Sequence, residues 1–245
     1  MSGPAALYLV PVPLQEGGDP ARVLPAPVLE RIRGLRDFVV ENARTARRFL
    51  GACGHPGPIA SLGLAILDEH TPDAEVPALL APLREGRDLG LLSEAGVPAV
   101  ADPGARLVAE AHAAGFRVVP LTGPSSLLLG LMASGLEGQR FRFAGYLPVA
   151  AAERVAAIRA LEARSAADDE TQVFIETPYR NDALLADLIA TCRADTRLAV
   201  AADLTGEAES IRSASVGEWR RSPAPPGRRP AIFLLLARAG RTKGR

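Results

Sequence analysis

The chain places its chemically capable side chains just beyond short apolar runs. Ser93-Glu94-Ala95-Gly96-Val97-Pro98 leads into Ala99-Val100-Ala101-Asp102-Pro103-Gly104, and Val118-Val119-Pro120-Leu121 leads into Thr122-Gly123-Pro124-Ser125-Ser126. Loops of this kind expose backbone N–H groups beside small side chains and leave room for a ligand against the main chain. Gly and Pro also punctuate ordinary strand-to-helix connections, and one of Ser125 and Ser126 is expected to cap the helix that follows. The other hydroxyl is then free to meet a carboxylate or a ribose.

Three further stretches pair acids with bases. In Val39-Val40-Glu41-Asn42-Ala43-Arg44, an acid and an arginine follow a strand-like run; the plain alternative is a surface ion pair of little energetic weight. Val173-Phe174-Ile175-Glu176-Thr177-Pro178-Tyr179-Arg180-Asn181 repeats the arrangement, with Glu176 as a possible cap for the helix after Pro178 and polar strand exits as preferred places for function. In Leu67-Asp68-Glu69-His70 a histidine beside two acids reads either as a base or as a solvated loop residue. Neither G-x-G-x-x-G after the first strand nor G-x-x-x-x-G-K-[ST] occurs, so the ordinary dinucleotide and P-loop signatures are missing. A hydrolase built on Ser125 competes, but Gly123-Pro124-Ser125-Ser126-Leu127 is not G-x-S-x-G.

Elements must hold these loops. Leu7–Val12, Asp37–Glu41, Asp88–Ser93 and Arg117–Leu121 read as strands. Helical patterns follow with Val28, Leu29, Ile32 and Leu35 on one face, then over Thr45–Ala52, over Pro77–Arg87 with Leu79, Leu80 and Leu83 inward, over Ala105–Ala114 and over Ser125–Ser134. This alternation predicts an α/β lobe with a mostly parallel sheet and helices on both faces. Beyond the polar stretch Gly135–Arg140 the pattern changes. Strands over Phe141–Tyr146 and Gln172–Glu176 alternate with helices over Ala151–Arg164 and Asn181–Cys192, and Ser165–Glu170 reads as a polar loop. Arg197–Ala202, Ser210–Val216 and Ala231–Ala237 then read as strands without long helices between them, predicting an α+β lobe of antiparallel character. The lobes are expected at 1–138 and 139–245, with a basic tail over Arg238–Arg245.

Composition narrows the classes. Lys+Arg and Asp+Glu are both 28, so a nucleic-acid partner has to rely on a local basic face such as Arg44, Arg47 and Arg48. Cys53, Cys192 and the three histidines lack metal-ligand spacing, and no metal is expected. The N-terminus lacks a signal-peptide pattern and no apolar run approaches about 18 residues, so a cytoplasmic location is expected.

Taken in order, Leu7-Tyr8-Leu9-Val10-Pro11-Val12-Pro13, Glu41-Asn42-Ala43-Arg44, Ser93-Glu94-Ala95-Gly96-Val97-Pro98 with Asp102-Pro103-Gly104, and Val118–Pro124 resemble the tetrapyrrole methylase superfamily. These are the class III methyltransferases that use S-adenosylmethionine (SAM). The resemblance continues through Gly145-Tyr146-Leu147-Pro148, Ile175-Glu176-Thr177-Pro178-Tyr179-Arg180 and Leu204-Thr205, and is nearest to the ribosomal RNA small-subunit methyltransferase I branch, which methylates a cytidine 2′-hydroxyl.

The resemblance implies a two-lobed fold with SAM in the cleft between the lobes, and a homodimer. It assigns SAM contacts to Gly96, Val97, Pro98, Val100, Ser125 and Ser126 from the first lobe, and to Ile175, Ala202, Pro230 and Ala231 from the second. Glu41, Glu94, Asp102 and Glu176 are candidate bases; Arg44 and Arg180 are candidates to position a phosphate or carboxylate. Several substrate-side positions depart from the branch. Gly-Asn-Leu is replaced by Gln15-Glu16-Gly17, although Asp19 still matches the acid that follows. Glu-Asp-Thr-Arg becomes Glu41-Asn42-Ala43-Arg44, and Ser-Asp-Ala-Gly becomes Ser93-Glu94-Ala95-Gly96. The chain also ends soon after its last strand, where that branch often carries a further helical extension. Methylation of a small-molecule or tetrapyrrole-like acceptor, and SAM binding without catalysis, therefore stand beside RNA methylation as readings.

Overall fold

The computed structural model describes residues 4–238; the basic tail read at 238–245 falls outside them from 239 onward. The described residues form two compact units, one within Met1–Ser125 and one within Ser126–Arg245.

In the first unit, strands β1 (Ala6–Val10), β2 (Asp37–Val40), β3 (Gly63–Ile66), β4 (Leu89–Leu92) and β5 (Arg117–Pro120) form one sheet in the order β3-β2-β4-β1-β5. Every pairing in it is parallel. Alternate residues of each strand feed two cores, as the period of two requires. Tyr8, Val10, Phe38 and Val40 pack with Val28, Leu29 and Ile32 of α1 (Ala26–Gly34) and Ala46 and Leu50 of α2 (Ala43–Ala52). Leu7, Val39, Leu89 and Leu91 pack on the other face with Leu83 of α3 (Ala81–Arg84) and Leu107 and Ala111 of α4 (Gly104–Ala113). Both faces are thus covered, which explains why the strands read as nearly continuous apolar runs.

The second unit begins with α5 (Ser126–Ser134), which the sequence pattern groups with the first lobe but which packs on the second sheet. Gly130 permits this: a Cβ there would lie 2.8 Å from the Ile232 side chain. Strands β6 (Phe141–Tyr146), β7 (Thr171–Ile175), β8 (Arg197–Ala202), β9 (Ser210–Ser215) and β10 (Ala231–Leu236) form the order β6-β7-β10-β8-β9. β6 and β7 are parallel, whereas β10 and β9 run antiparallel to their neighbours. Helices α6 (Ala151–Asp168), α7 (Asn181–Thr191) and α8 (Val216–Arg221) cover a core of Phe174, Phe233, Leu184, Leu188 and Trp219. The Trp219 indole N–H donates to the Leu198 carbonyl at 2.9 Å.

Four local expectations differ from the structure. β3 has no counterpart in the sequence reading: it is a four-residue, half-exposed edge strand with too few residues to show a period. The helix expected over Pro77–Arg87 is a 3-10 run, Asp73–Leu80, followed by the single turn α3, because Pro77 interrupts the hydrogen-bond ladder; Leu79 is only half-buried. The polar loop expected at Ser165–Glu170 is largely the last turn of α6, ended by Asp169 at φ 50°. There Ser165, fully buried, donates to the Glu170 carbonyl at 2.8 Å and accepts the Ala237 N–H at 2.8 Å. The strand expected to run to Val216 gives way to α8 through a capping box, Ser215 with Glu218.

Candidate functional site

Parallel pairing brings the exits of the first sheet to one edge. Val40 and Val10 are both in register with Leu92, so Glu41, Pro11 and Ser93 leave their strands at the same level. The loops after β1, β4 and β5 are stitched together there. Val12 and Gly96 exchange backbone bonds of 2.8 and 3.2 Å, and the Leu121 N–H donates to the Leu9 carbonyl at 3.0 Å. Gly96 has φ 75°, and at Gly123 a Cβ would lie 2.3 Å from the Pro11 ring, so both positions need glycine.

The loop 96–104 is strained and held by one side chain. Ala99 and Ala101 have φ 66° and 63°, in a region that costs a non-glycine residue roughly 1–2 kcal/mol. Asp102 compensates: the Ala99 N–H lies 2.9 Å from both of its carboxylate oxygens, and the Gly104 N–H donates to Oδ1 at 2.8 Å. Burial nevertheless outweighs these donors and raises the affinity of Asp102 for a proton.

Glu41 lies beside this loop. Its Oε1 accepts the Glu94 N–H at 3.2 Å, while Glu94 Oε1 accepts the Thr45 hydroxyl at 2.6 Å. Partial burial first, then the charges of Asp102 and Glu94, raise the Glu41 pKa above the usual glutamate range, and the Glu94 N–H opposes them. The ion pair that spacing allows between Glu41 and Arg44 is not formed: among the described residues the Arg44 side chain has no partner. Asn42 instead caps α2, its side chain accepting the Arg44 N–H at 2.8 Å and the Thr45 N–H at 3.4 Å. Thr45 is not among the residues that sequence reasoning selects; its position three residues past a cap gives no sign that it reaches across to the β4 exit.

Neither Ser125 nor Ser126 has a side-chain hydrogen bond among the described residues, so the cap expected from one of them is absent and both hydroxyls are unengaged. Pro98 is buried, Val97 half-buried and Val100 exposed. His70 is the solvated alternative: its side chain is 84% exposed, and its backbone N–H donates to Asp68 Oδ1 in a turn that Thr71 closes.

In the second unit the exits of β7 and β8 and the start of β10 share an edge, since Ile175 and Ala202 pair with Ile232 and Ala231. Ala202 is buried, Ile175 and Ala231 are half-buried, and Pro230 is exposed, with its carbonyl accepting the Asp203 N–H at 2.8 Å. The Glu176 side chain is fully buried. Its Oε1 accepts Arg180 Nη2 at 2.5 Å, Thr177 N at 2.7 Å and Arg180 Nε at 3.0 Å, whereas Oε2 has no partner among the described residues. Glu176 therefore pairs with Arg180 rather than standing ready as a helix cap. Asn181 Nδ2 donates to the carbonyls of Gly227 and Arg229, holding the segment that leads into β10, and its Oδ1 is likewise buried without a partner.

A parallel sheet followed by a mixed sheet, each with loops gathered at its strand exits, is the class III methyltransferase architecture. Two solved structures share that fold: the uroporphyrin-III-C-methyltransferase from Thermus thermophilus (TM-score 0.52, 21% identity, covering 96% of this chain and 93% of that one) and the methyltransferase CobJ (TM-score 0.60, 17%, covering 96% and 100%). The family of Tetrapyrrole (Corrin/Porphyrin) Methylases matches residues 60–219. Relatives named ribosomal RNA small subunit methyltransferase I include those of Mesorhizobium japonicum (34% identity, 86% of this chain and 67% of the relative), Escherichia coli O157:H7 (33%, 86% and 70%) and Xylella fastidiosa (34%, 96% and 82%). The chain belongs to the tetrapyrrole methylase family and is a SAM-dependent methyltransferase. No helix of the described residues is long and apolar enough to cross a membrane.

Proposed function

We propose that this protein methylates a ribose 2′-hydroxyl of small-subunit ribosomal RNA, with Glu41 as the proton acceptor. The observation that carries the reading is Glu41 itself: a half-buried carboxylate of raised proton affinity at the exit of a central strand, with no cation paired to it among the described residues. An alcohol is a poor nucleophile until its proton has somewhere to go, and a carboxylate tuned upward is suited to receive it. The names of the relatives favour RNA over a small tetrapyrrole-like acceptor.

The other candidates take distinct roles. Asp102 has both oxygens engaged in holding the 96–104 loop, and Glu94 holds Glu41 through its N–H. Glu176 with Arg180 braces the β7 exit. SAM contacts are assigned to Gly96, Val97, Pro98, Val100, Ser125, Ser126, Ile175, Ala202, Pro230 and Ala231. The fit is supported by the unengaged hydroxyls of Ser125 and Ser126 and by the two orphaned acceptors, Glu176 Oε2 and Asn181 Oδ1, beside the β10 start. SAM supplies an electrophilic methyl group on a positively charged sulfur. The chain's own tasks are to align the acceptor oxygen, exclude water and take up the proton. No metal is assigned to this chemistry. A cytoplasmic homodimer completes the proposal, and elution at twice the monomer mass is the expected result of gel filtration.

Transfer of tritium from labelled SAM to small ribosomal subunits lacking the modification tests the reading. Label is expected in the RNA, at a nucleotide resistant to alkaline cleavage. Binding of SAM without incorporation would leave the small-molecule acceptor as the better reading.

A further inference from the structure

We propose that Arg44 and Arg47 on α2 form the surface that grips the phosphate backbone of the acceptor RNA, an inference that rests on the ribosomal RNA reading above. The formal charge of the chain is zero, so its attraction to a polyanion must come from a local patch. Lys243 is the single lysine, which leaves guanidinium groups as the cationic surface; these suit bidentate contacts to phosphate oxygens.

Most arginines of the first unit are already engaged. Arg48 pairs with Glu16 at 2.6 Å and Arg87 with Asp37 at 3.0 Å, while Arg33 and Arg84 donate to backbone carbonyls. Four have no side-chain partner among the described residues: Arg36, Arg44, Arg47 and Arg117. Arg36 and Arg117 stand at the N-terminal ends of β2 and β5, on the edge away from the strand exits. Only Arg44 and Arg47 lie beyond a C-terminal end, three residues apart on one face of α2, immediately after Glu41.

Their placement does nothing for the helix. α2 carries Arg44 rather than an acid in its first turn, the reverse of what the helix dipole favours, and has no base in its last. The cap is the neutral Asn42, which supplies the hydrogen bonds without adding negative charge. Arg44, held against the dipole in the first turn just after a candidate proton acceptor, and Arg47, one turn further on, are exposed, unpaired cations arranged for an anion outside the chain. A strand of RNA offers successive phosphates around the ribose to be methylated.

The test measures affinity for small-subunit ribosomal RNA, transcribed in vitro, as a function of salt. For single strands the slope of log K against log salt falls by about 0.7 for each phosphate that the protein no longer neutralises. Arg44→Gln/Arg47→Gln is expected to lower the slope by about 1.4 and Arg47→Gln alone by about half of that, with SAM affinity unchanged. Arg44→Lys/Arg47→Lys is expected to restore most of the slope. An unchanged slope in the Gln double variant, with wild-type methyl transfer to the RNA intact, overturns the arginine assignment alone. Wild-type protein that binds SAM yet transfers no methyl group to the RNA overturns the acceptor reading on which the assignment rests.

Discussion

The β2 and β4 exits of the first unit and the β7 exit of the second treat negative charge in opposite ways. At the first, Glu41, Glu94 and Asp102 crowd together with no arginine paired to them; burial pushes both Glu41 and Asp102 toward their protonated forms, and the neighbouring carboxylates push Glu41 further. At the second, Glu176 is buried more deeply but is clasped by Arg180 at 2.5 and 3.0 Å. A carboxylate that must exchange a proton needs the first arrangement. One that must keep its charge and its place needs the second. The comparison separates a candidate for chemistry from a brace, although the two motifs read almost alike as an acid followed by an arginine.

The largest expected effect breaks the brace. Arg180→Ala leaves the Glu176 carboxylate buried without its cation, which costs roughly 3–5 kcal/mol. Urea unfolding is expected to show that loss, and Glu176→Gln/Arg180→Met, which removes both charges, is expected to recover most of it. If the double variant is no more stable than Arg180→Ala, Glu176 is not held by charge pairing.

The second prediction bears on Glu41. Glu41→Gln is expected to lower kcat for RNA methylation about 100-fold, the lower range for loss of a general base, while SAM affinity stays at the wild-type level. Glu176→Gln, tested beside it, is expected to change stability more than kcat. Equal losses of kcat in the two variants would erase the distinction between the edges.

The sequence displayed four of the five strands of the first unit well because both faces of the sheet are buried, so Leu7–Val12 and Leu89–Leu92 read as apolar runs, whereas the half-exposed edge strand β3 did not show. It displayed the site residues less well. Glu41-Asn42-Ala43-Arg44 and Glu176-Thr177-Pro178-Tyr179-Arg180 differ in spacing by one residue, yet only the second closes into a pair, because Pro178 starts a 3-10 turn that brings Arg180 back over Glu176. The link from Thr45 to Glu94 spans 49 positions and depends on the order β2-β4, which no local pattern reveals. The capping box at Ser215 was readable and shows that the signal for α8 was present in four residues.

A third expectation concerns the loop lock. Asp102→Asn presents an amide N–H₂ where the Ala99 and Gly104 N–H groups now converge, and it weakens the tie that spans the left-handed Ala99 and Ala101. A stability loss of about 1–3 kcal/mol is expected. Weaker SAM binding by calorimetry is expected with it, because Gly96 to Val100 lie in the segment released. Asp102→Asn with unaltered SAM affinity would detach this loop from the cofactor.

The smallest effect has the most telling sign. The Glu41 pKa is raised in the folded protein by burial and by the charges of Asp102 and Glu94. Folding therefore favours the protonated form. The stability this contributes is fully present below the pKa of the unfolded chain and is lost as pH rises through the higher folded value. Glu41→Gln cannot titrate at this position, so it is spared that loss. The variant is expected to gain on the wild type between the ordinary glutamate range and neutrality, and to show no further gain above the folded pKa. Because Glu41 is only half-buried, solvent screens the repulsion, and the gain at neutral pH is expected to be roughly 0.5 kcal/mol or less. A substitution that stabilises the fold at neutral pH while lowering turnover about 100-fold marks a residue kept for its proton. A variant less stable than the wild type at neutral pH, with the deficit shrinking toward acid, would place Glu41 with Glu176 among charges that the fold compensates.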